Sequence, residues 1–215
     1  MPRFYDVTVP IREGMPVWPG DPPVAVQPRQ RIAAGGGCNT SHYSFGSHVG
    51  THIDAPFHFI QSGRTLDQIE PGELIGPCWV ADLTAAPGHI TDRDLDAAGI
   101  PTGVTRLLVK TRNSALWAEP NAPFQPSFVA FAESGARWVV ARGIRLVGID
   151  YLSVEPFHSP ESVVHNTLLG NDVVAIEGLD LRGIGAGPYQ LICLPLSVPG
   201  ADGCPVRAIL ASNHG

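Results

Sequence analysis

The stretch SHVGTHIDAPFHF, residues 47–59, places three histidines and one aspartate in thirteen positions. A solvated surface more readily uses Lys or Glu, and a dry core tolerates unpaired polar groups only at a high free-energy cost. The stretch therefore points to a metal site, a catalytic site, or both. His48, His52 and Asp54 are separated by even numbers of residues. On a strand all three share one face, while Thr51 and Ile53 take the other, where Ile53 can pack. Two imidazoles and a carboxylate on one surface suit a divalent ion. Ala55-Pro56 ends the regular strand, and His58 follows four residues after Asp54. The pattern is not HExxH, which needs a helix to bring its histidines together.

The rest of the chain frames this stretch as part of a globular α/β protein. Its 215 residues suffice for one core, and we expect a single domain over residues 1–215. Apolar residues make up 44% and charged residues 16%, with 24 Gly and 21 Pro. Apolar runs continue throughout, so the Gly and Pro read as turns and shaped loops. A net charge of −6 with no basic cluster argues against nucleic acid and towards a small molecule. No stretch approaches the ~20 apolar residues of a membrane span. The N-terminus lacks a basic region followed by an apolar one, so no signal peptide is expected. The four cysteines form no CxxC pair and read as reduced thiols of a cytoplasmic protein, although their even number leaves disulfides open; Cys38 is the best thiol candidate.

Strands are expected at 4–9, 41–49, 78–83, 106–111, 144–150, 173–179 and 189–196, with alternation also at 24–27. Residues 14–23 read as a rigid loop around Trp18. TDRDLDAAG, 91–99, reads as a short helix capped by Thr91 or Asp92 and stopped at Gly99, and apolar residues recur at helical spacing over 127–143. Many strands with few helices imply a mixed, sheet-rich core. Glu177 stands in the apolar run VVAIEGL, where a carboxylate needs a partner. His42 reads as a surface or structural residue, His89 and His158 as loop histidines, and His214 as part of a frayed end.

Taken together, these segments resemble the metal-dependent cyclase and kynurenine formamidase family. HVGTHIDAPFHF fits the family pattern H-x-G-T-H-x-D-x-P-x-H. MPVWPGD, LVGIDYLSVEPF, HNTLLGNDVVAIEGL and LPLSVPGADGCPVRAI extend the likeness over nearly the whole chain. The resemblance implies a swivelling β/β/α-like cyclase fold. It implies that His48, His52 and Asp54 ligate a first zinc, that Asp54 reaches a second, and that His165 and Glu177 complete the ligand set. It implies His58 as the catalytic histidine and Trp18 as an aromatic wall of the substrate pocket. Asp202 and Arg207 are either braces of the site or an ordinary ion pair.

The implied chemistry is hydrolysis of a C–N bond in a small aromatic amide, foremost N-formyl-L-kynurenine. His58 would move the proton, and no Ser or Cys nucleophile is required. Kynurenine formamidases often carry two adjacent histidines where this chain has His165-Asn166. The HNTLL form is closer to the broader cyclase group and the isatin hydrolases. An isatin-type cyclic-amide hydrolase with one manganese is thus an alternative to one or two zincs. A metal-binding protein without turnover is another, against which His58 stands beside the implied ligands. The resemblance also implies a homo-oligomer, dimer or tetramer.

Overall fold

The computed structural model describes residues 2–212, so the reading of His214 falls outside them. Among the described residues, ten strands and four α-helices follow one another. They are β1 (Arg3–Asp6), β2 (Ala25–Gln30), β3 (Thr40–Ser44), β4 (His52–Asp54), α1 (Pro71–Leu74) and β5 (Ile75–Asp82). Then come α2 (Asp92–Ala97), β6 (Arg106–Lys110), α3 (Glu133–Ala141), β7 (Leu146–Ile149) and α4 (Val163–Leu169). β8 (Val174–Glu177), β9 (Gly187–Pro195) and β10 (Gly203–Ser212) complete the series.

Eight strands form one mixed sheet in the order β1-β10-β4-β8-β7-β6-β5-β9, and a further β9–β10 pairing closes it into a barrel. β5, β6, β7 and β8 run parallel. Each connection between them carries a helix, α2, α3 or α4 in turn, as parallel neighbours require. The runs RLLVK and LVGI are buried on both faces for that reason. Ile53, Val80, Leu108, Ile176, Leu191 and Leu210 belong to the barrel interior. Ala81, Val109, Val147, Leu95, Val139 and Leu168 form the second core, between the sheet and the helices. The hairpin of β2 and β3 is exposed along most of its length.

Thr91 is the cap of α2, accepting from Asp94 N while Asp94 returns a bond to Thr91 N. Residues 127–132 do not join α3, because other segments claim their backbone. Asn113 exchanges two bonds with Val129, and Phe131 N donates to Val154 O. β3 stops at Ser44, five residues before the expected end, so His48 lies in a turn. β10 was not expected as a strand; Gly203 and Pro205 obscure its alternation. Among the described residues, no helix is long and apolar enough to cross a membrane.

Candidate metal centre

The site grows from one pair of opposed residues. In the antiparallel pairing of β4 with β8, His52 faces Glu177. Ile53 and Ile176 point into the barrel, so His52, Asp54 and Glu177 share its outer face. The expected single-face strand thus holds for His52 and Asp54. His48 comes instead from the preceding turn, and Gly50, at φ +62°, swings the chain back into β4. Gly203 of β10 leaves the room His48 needs, since a Cβ there would stand 2.5 Å from His48 Cε1.

His58 follows on the 3-10 turn Pro56–His58, which begins with proline one residue past the strand, after the N-cap Ala55. The turn stacks the His58 ring on His48, with centroids 3.9 Å apart. His165 comes down from α4, its Nε2 3.3 Å from Glu177 Oε1 and 3.6 Å from Asp54 Oδ2. The structure therefore gathers His48, His52, Asp54, His58, His165 and Glu177 from five segments.

Among the described residues two triads of ligand atoms emerge, His48–Asp54–His58 and His52–Asp54–Glu177, with Asp54 common to both. The second fits a divalent ion well. His52 Nδ1 lies 2.9 Å from Gly50 O, which leaves Nε2 bare. That Nε2 and Asp54 Oδ2 are buried without any hydrogen-bond partner. Buried polar atoms are nearly always satisfied, and a cation between them would do so.

The electrostatics agree. Burial raises the pKa of Asp54, yet His48, His165 and His52 outweigh it and hold the carboxyl well below its ordinary range. Burial and the neighbouring Asp54 charge both push Glu177 up, but His165 and His52 bring it down. Burial pulls His48 down, and the carboxylates of Asp54 and Asp202 lift it to about 9. His165 is likewise raised against its burial, by Asp54, Glu155 and Glu177. Protons thus balance a crowd of carboxylates that a divalent cation would balance better. His58 behaves differently: burial lowers it, and the nearby His48 and His165 add to that against Asp54 and Glu177.

The centre opens into a cleft of about 280 Å³ lined by His48, His58, His165 and Glu177 together with Trp18, Phe59 and Phe157. Trp18 stands edge-on to Phe157 and Phe124, with centroids 5.3 and 5.4 Å away. It is both anchored in an aromatic cluster and part of the cleft wall.

The cyclase family profile matches residues 5–156. Kynurenine formamidase of Sphingopyxis alaskensis is 34% identical over 210 residues, 98% of each chain. The chain belongs to the cyclase and kynurenine formamidase family. A solved structure of a predicted metal-dependent hydrolase from Bacillus stearothermophilus has a TM-score of 0.84 at 36% identity, covering 98% of both chains. Isatin hydrolase A from Ralstonia solanacearum, at 21% identity, shares the fold, with a TM-score of 0.83 over 99% of this chain and 92% of its own. With its clustered ligand groups, this family member is a metal-dependent hydrolase.

Other expectations sort themselves by position. Asp202 braces the site, its Oδ2 2.6 Å from His48 Nε2, whereas Arg207 forms an exposed pair with Asp6. His42 and His158 are exposed, and His89 Nδ1 accepts from Ala130 N. The four cysteines are free, and only Cys38 is exposed. One buried group went unnoticed in the sequence, Glu155, whose Oε2 lies 3.2 Å from His165 Nδ1. Its signal was the one that singled out Glu177, a carboxylate inside an apolar run, here LSVEPF.

Proposed function

We propose that this enzyme hydrolyses the C–N bond of a small aryl amide, with N-formyl-L-kynurenine, cleaved to kynurenine and formate, as its foremost substrate. The observation that carries the reading is the pair of bare buried atoms, His52 Nε2 and Asp54 Oδ2, next to an aromatic-walled cleft. His48, His52, Asp54, His165 and Glu177 would hold one or two zinc ions, or manganese. Such an ion supplies Lewis acidity, polarising a carbonyl and acidifying water.

The protein's own groups do the rest. His58, kept neutral by burial, is ready to take a proton from the attacking water. It then returns that proton to the leaving aryl nitrogen. The His48 ring stacked against it limits its rotation. Trp18 and Phe157 flank the aryl group and exclude bulk water. The free thiols agree with a cytoplasmic location, and we expect a homo-oligomer.

One observation favours a second reading. Among the described residues lining the cleft there is no lysine or arginine to meet the carboxylate of an amino-acid tail. A neutral, tail-free amide of the isatin type would not need one. A screen of metal-reconstituted protein against N-formyl-L-kynurenine, isatin and formanilide, read by absorbance, separates the two. The highest kcat/KM is expected for N-formyl-L-kynurenine. A metal-loaded protein that turns over none of the three would overturn both readings.

A further inference from the structure

We infer that Glu155 is a positioning residue that aims His165 at the ion by holding its backbone and its ring at once. This rests on the reading of His165 as a ligand and goes beyond it to a side chain outside the ligand set. Glu155 is 5% exposed. Its Oε2 accepts a 2.8 Å hydrogen bond from His165 N in the first turn of α4 and lies 3.2 Å from His165 Nδ1.

The first turn of α4 needs this outside help. Its N-cap, Ser162, makes no side-chain cap bond, and Glu161 and Ser162 both adopt left-handed backbone angles, φ 63° and 47°. The chain thus enters the helix without the usual serine cap, and the carboxylate of Glu155 takes over one orphan N–H.

The ring is constrained separately. Phe59 stacks on it, with centroids 4.2 Å apart and planes 10° from parallel. Stacking fixes the plane of the ring but not which way round it is flipped about χ2. The edge contacts must then set which nitrogen faces the centre. Nε2 faces Glu177 and Asp54, so a ligating His165 carries its proton on Nδ1. Neither His165 Nδ1 nor Glu155 Oε1 has a hydrogen-bond partner, although the two side chains adjoin. An orphan Nδ1, a donor in the ligating tautomer and 3.2 Å from a carboxylate oxygen, marks a bond that forms when the ion draws Nε2 inward. Histidine ligands commonly donate their second nitrogen to such a carboxylate.

Zinc affinity, measured by competition with a chromophoric chelator, tests this together with the melting temperature of the metal-free protein. Glu155→Gln keeps an oxygen for the His165 N–H but loses the charge. Its metal-free melting temperature should stay at the wild-type value while zinc affinity falls about 10- to 100-fold. His165→Ala serves as the reference. Wild-type affinity in Glu155→Gln with weakened affinity in His165→Ala would overturn the role of Glu155 alone. Wild-type affinity in both would remove His165 from the ligands, and the inference with it. A measurement on the unmutated protein guards against a variant that does not fold. In the zinc-loaded wild type, a ¹H–¹⁵N spectrum should show a slowly exchanging proton on His165 Nδ1, and its absence would count decisively against the proposal.

Discussion

Asp54 is fully buried and its two oxygens serve different neighbours, Oδ1 lying 2.7 Å from His48 Nδ1 and Oδ2 3.6 Å from His165 Nε2. It is the carboxylate common to both ligand triads. Asp54→Asn should therefore lower metal content more than His52→Ala, which touches only one triad. Elemental analysis after purification without chelator checks this, and equal content in the two variants would argue against sharing. His58 poses a sharper question, because it moves protons in our reading yet also belongs to a ligand triad. His58→Ala should keep its metal while kcat falls by roughly 10²–10⁴, the range for lost proton transfer. Metal loss in parallel with rate, partly restored by added zinc, would make it a ligand instead.

Elements rather than single side chains support the aromatic cluster behind the cleft. The segment after β6 forms a 3-10 helix, Arg112–Ala118, pinned by the buried carboxyl of Asp150. Asp150 accepts from Thr111 N, Thr111 Oγ1, Ser114 N and Ser114 Oγ. Trp117 on this segment donates to Asp150 O and Leu179 O, and its ring lies 5.3 Å from Tyr151. Burial pushes the Asp150 carboxyl up to about 6, against the four donors. The folded state then holds a proton that the unfolded chain has already lost above its ordinary 3.8. This contribution to stability is full below that value and disappears as pH rises through about 6. Ser114→Ala removes one donor to the charged form and should cost about 1.5–3 kcal/mol at pH 8. The cost should be smaller at pH 5, where the carboxyl is largely protonated. Urea unfolding at the two pH values decides it.

For the whole molecule, the crowd of carboxylates around Asp54 makes metal and stability interdependent. In the metal-free protein His48 holds its proton up to about 9, the carboxylates overcoming the effect of burial. An incoming ion competes with that proton, so zinc affinity should rise with pH until about 9 and fall on acidification. Chelation should lower the melting temperature, and reconstitution at 100 times Kd should restore about 2.7 kcal/mol. A melting temperature indifferent to metal would contradict the clustered ligand geometry. Association is a separate matter. Phe4 on β1, Leu194 on β9 and Leu196 just past the end of β9 are exposed at 62%, 45% and 65%, which is consistent with contact between copies. Light scattering should report a multiple of 22.8 kDa, and a mass of one chain at micromolar concentration would exclude the homo-oligomer.

Local chemistry was legible in the sequence wherever its cause was local. The even spacing of His52 and Asp54 determined their common face, with Ile53 opposite, because side chains alternate along any strand. The choice of Thr91 or Asp92 as cap announced the helix, and Thr91 proved to be it, since a cap acts within the first turn. The resemblance added His165 and Glu177, which spacing could not tie to the first cluster. The tertiary structure decided the rest. Alternation says which face a residue takes but not which strand lies beside it, so the opposition of His52 and Glu177 waited on the register of β4 with β8. His48 reached the centre from a turn, through the left-handed Gly50, and not along a strand. β10 closed the barrel despite its Gly and Pro because the edges of β4 and β9 needed a partner. Glu155 and Asp202 reached the histidines from loops, 10 residues from His165 and 154 from His48. Such contacts depend on the path of the whole chain, and no local pattern records them.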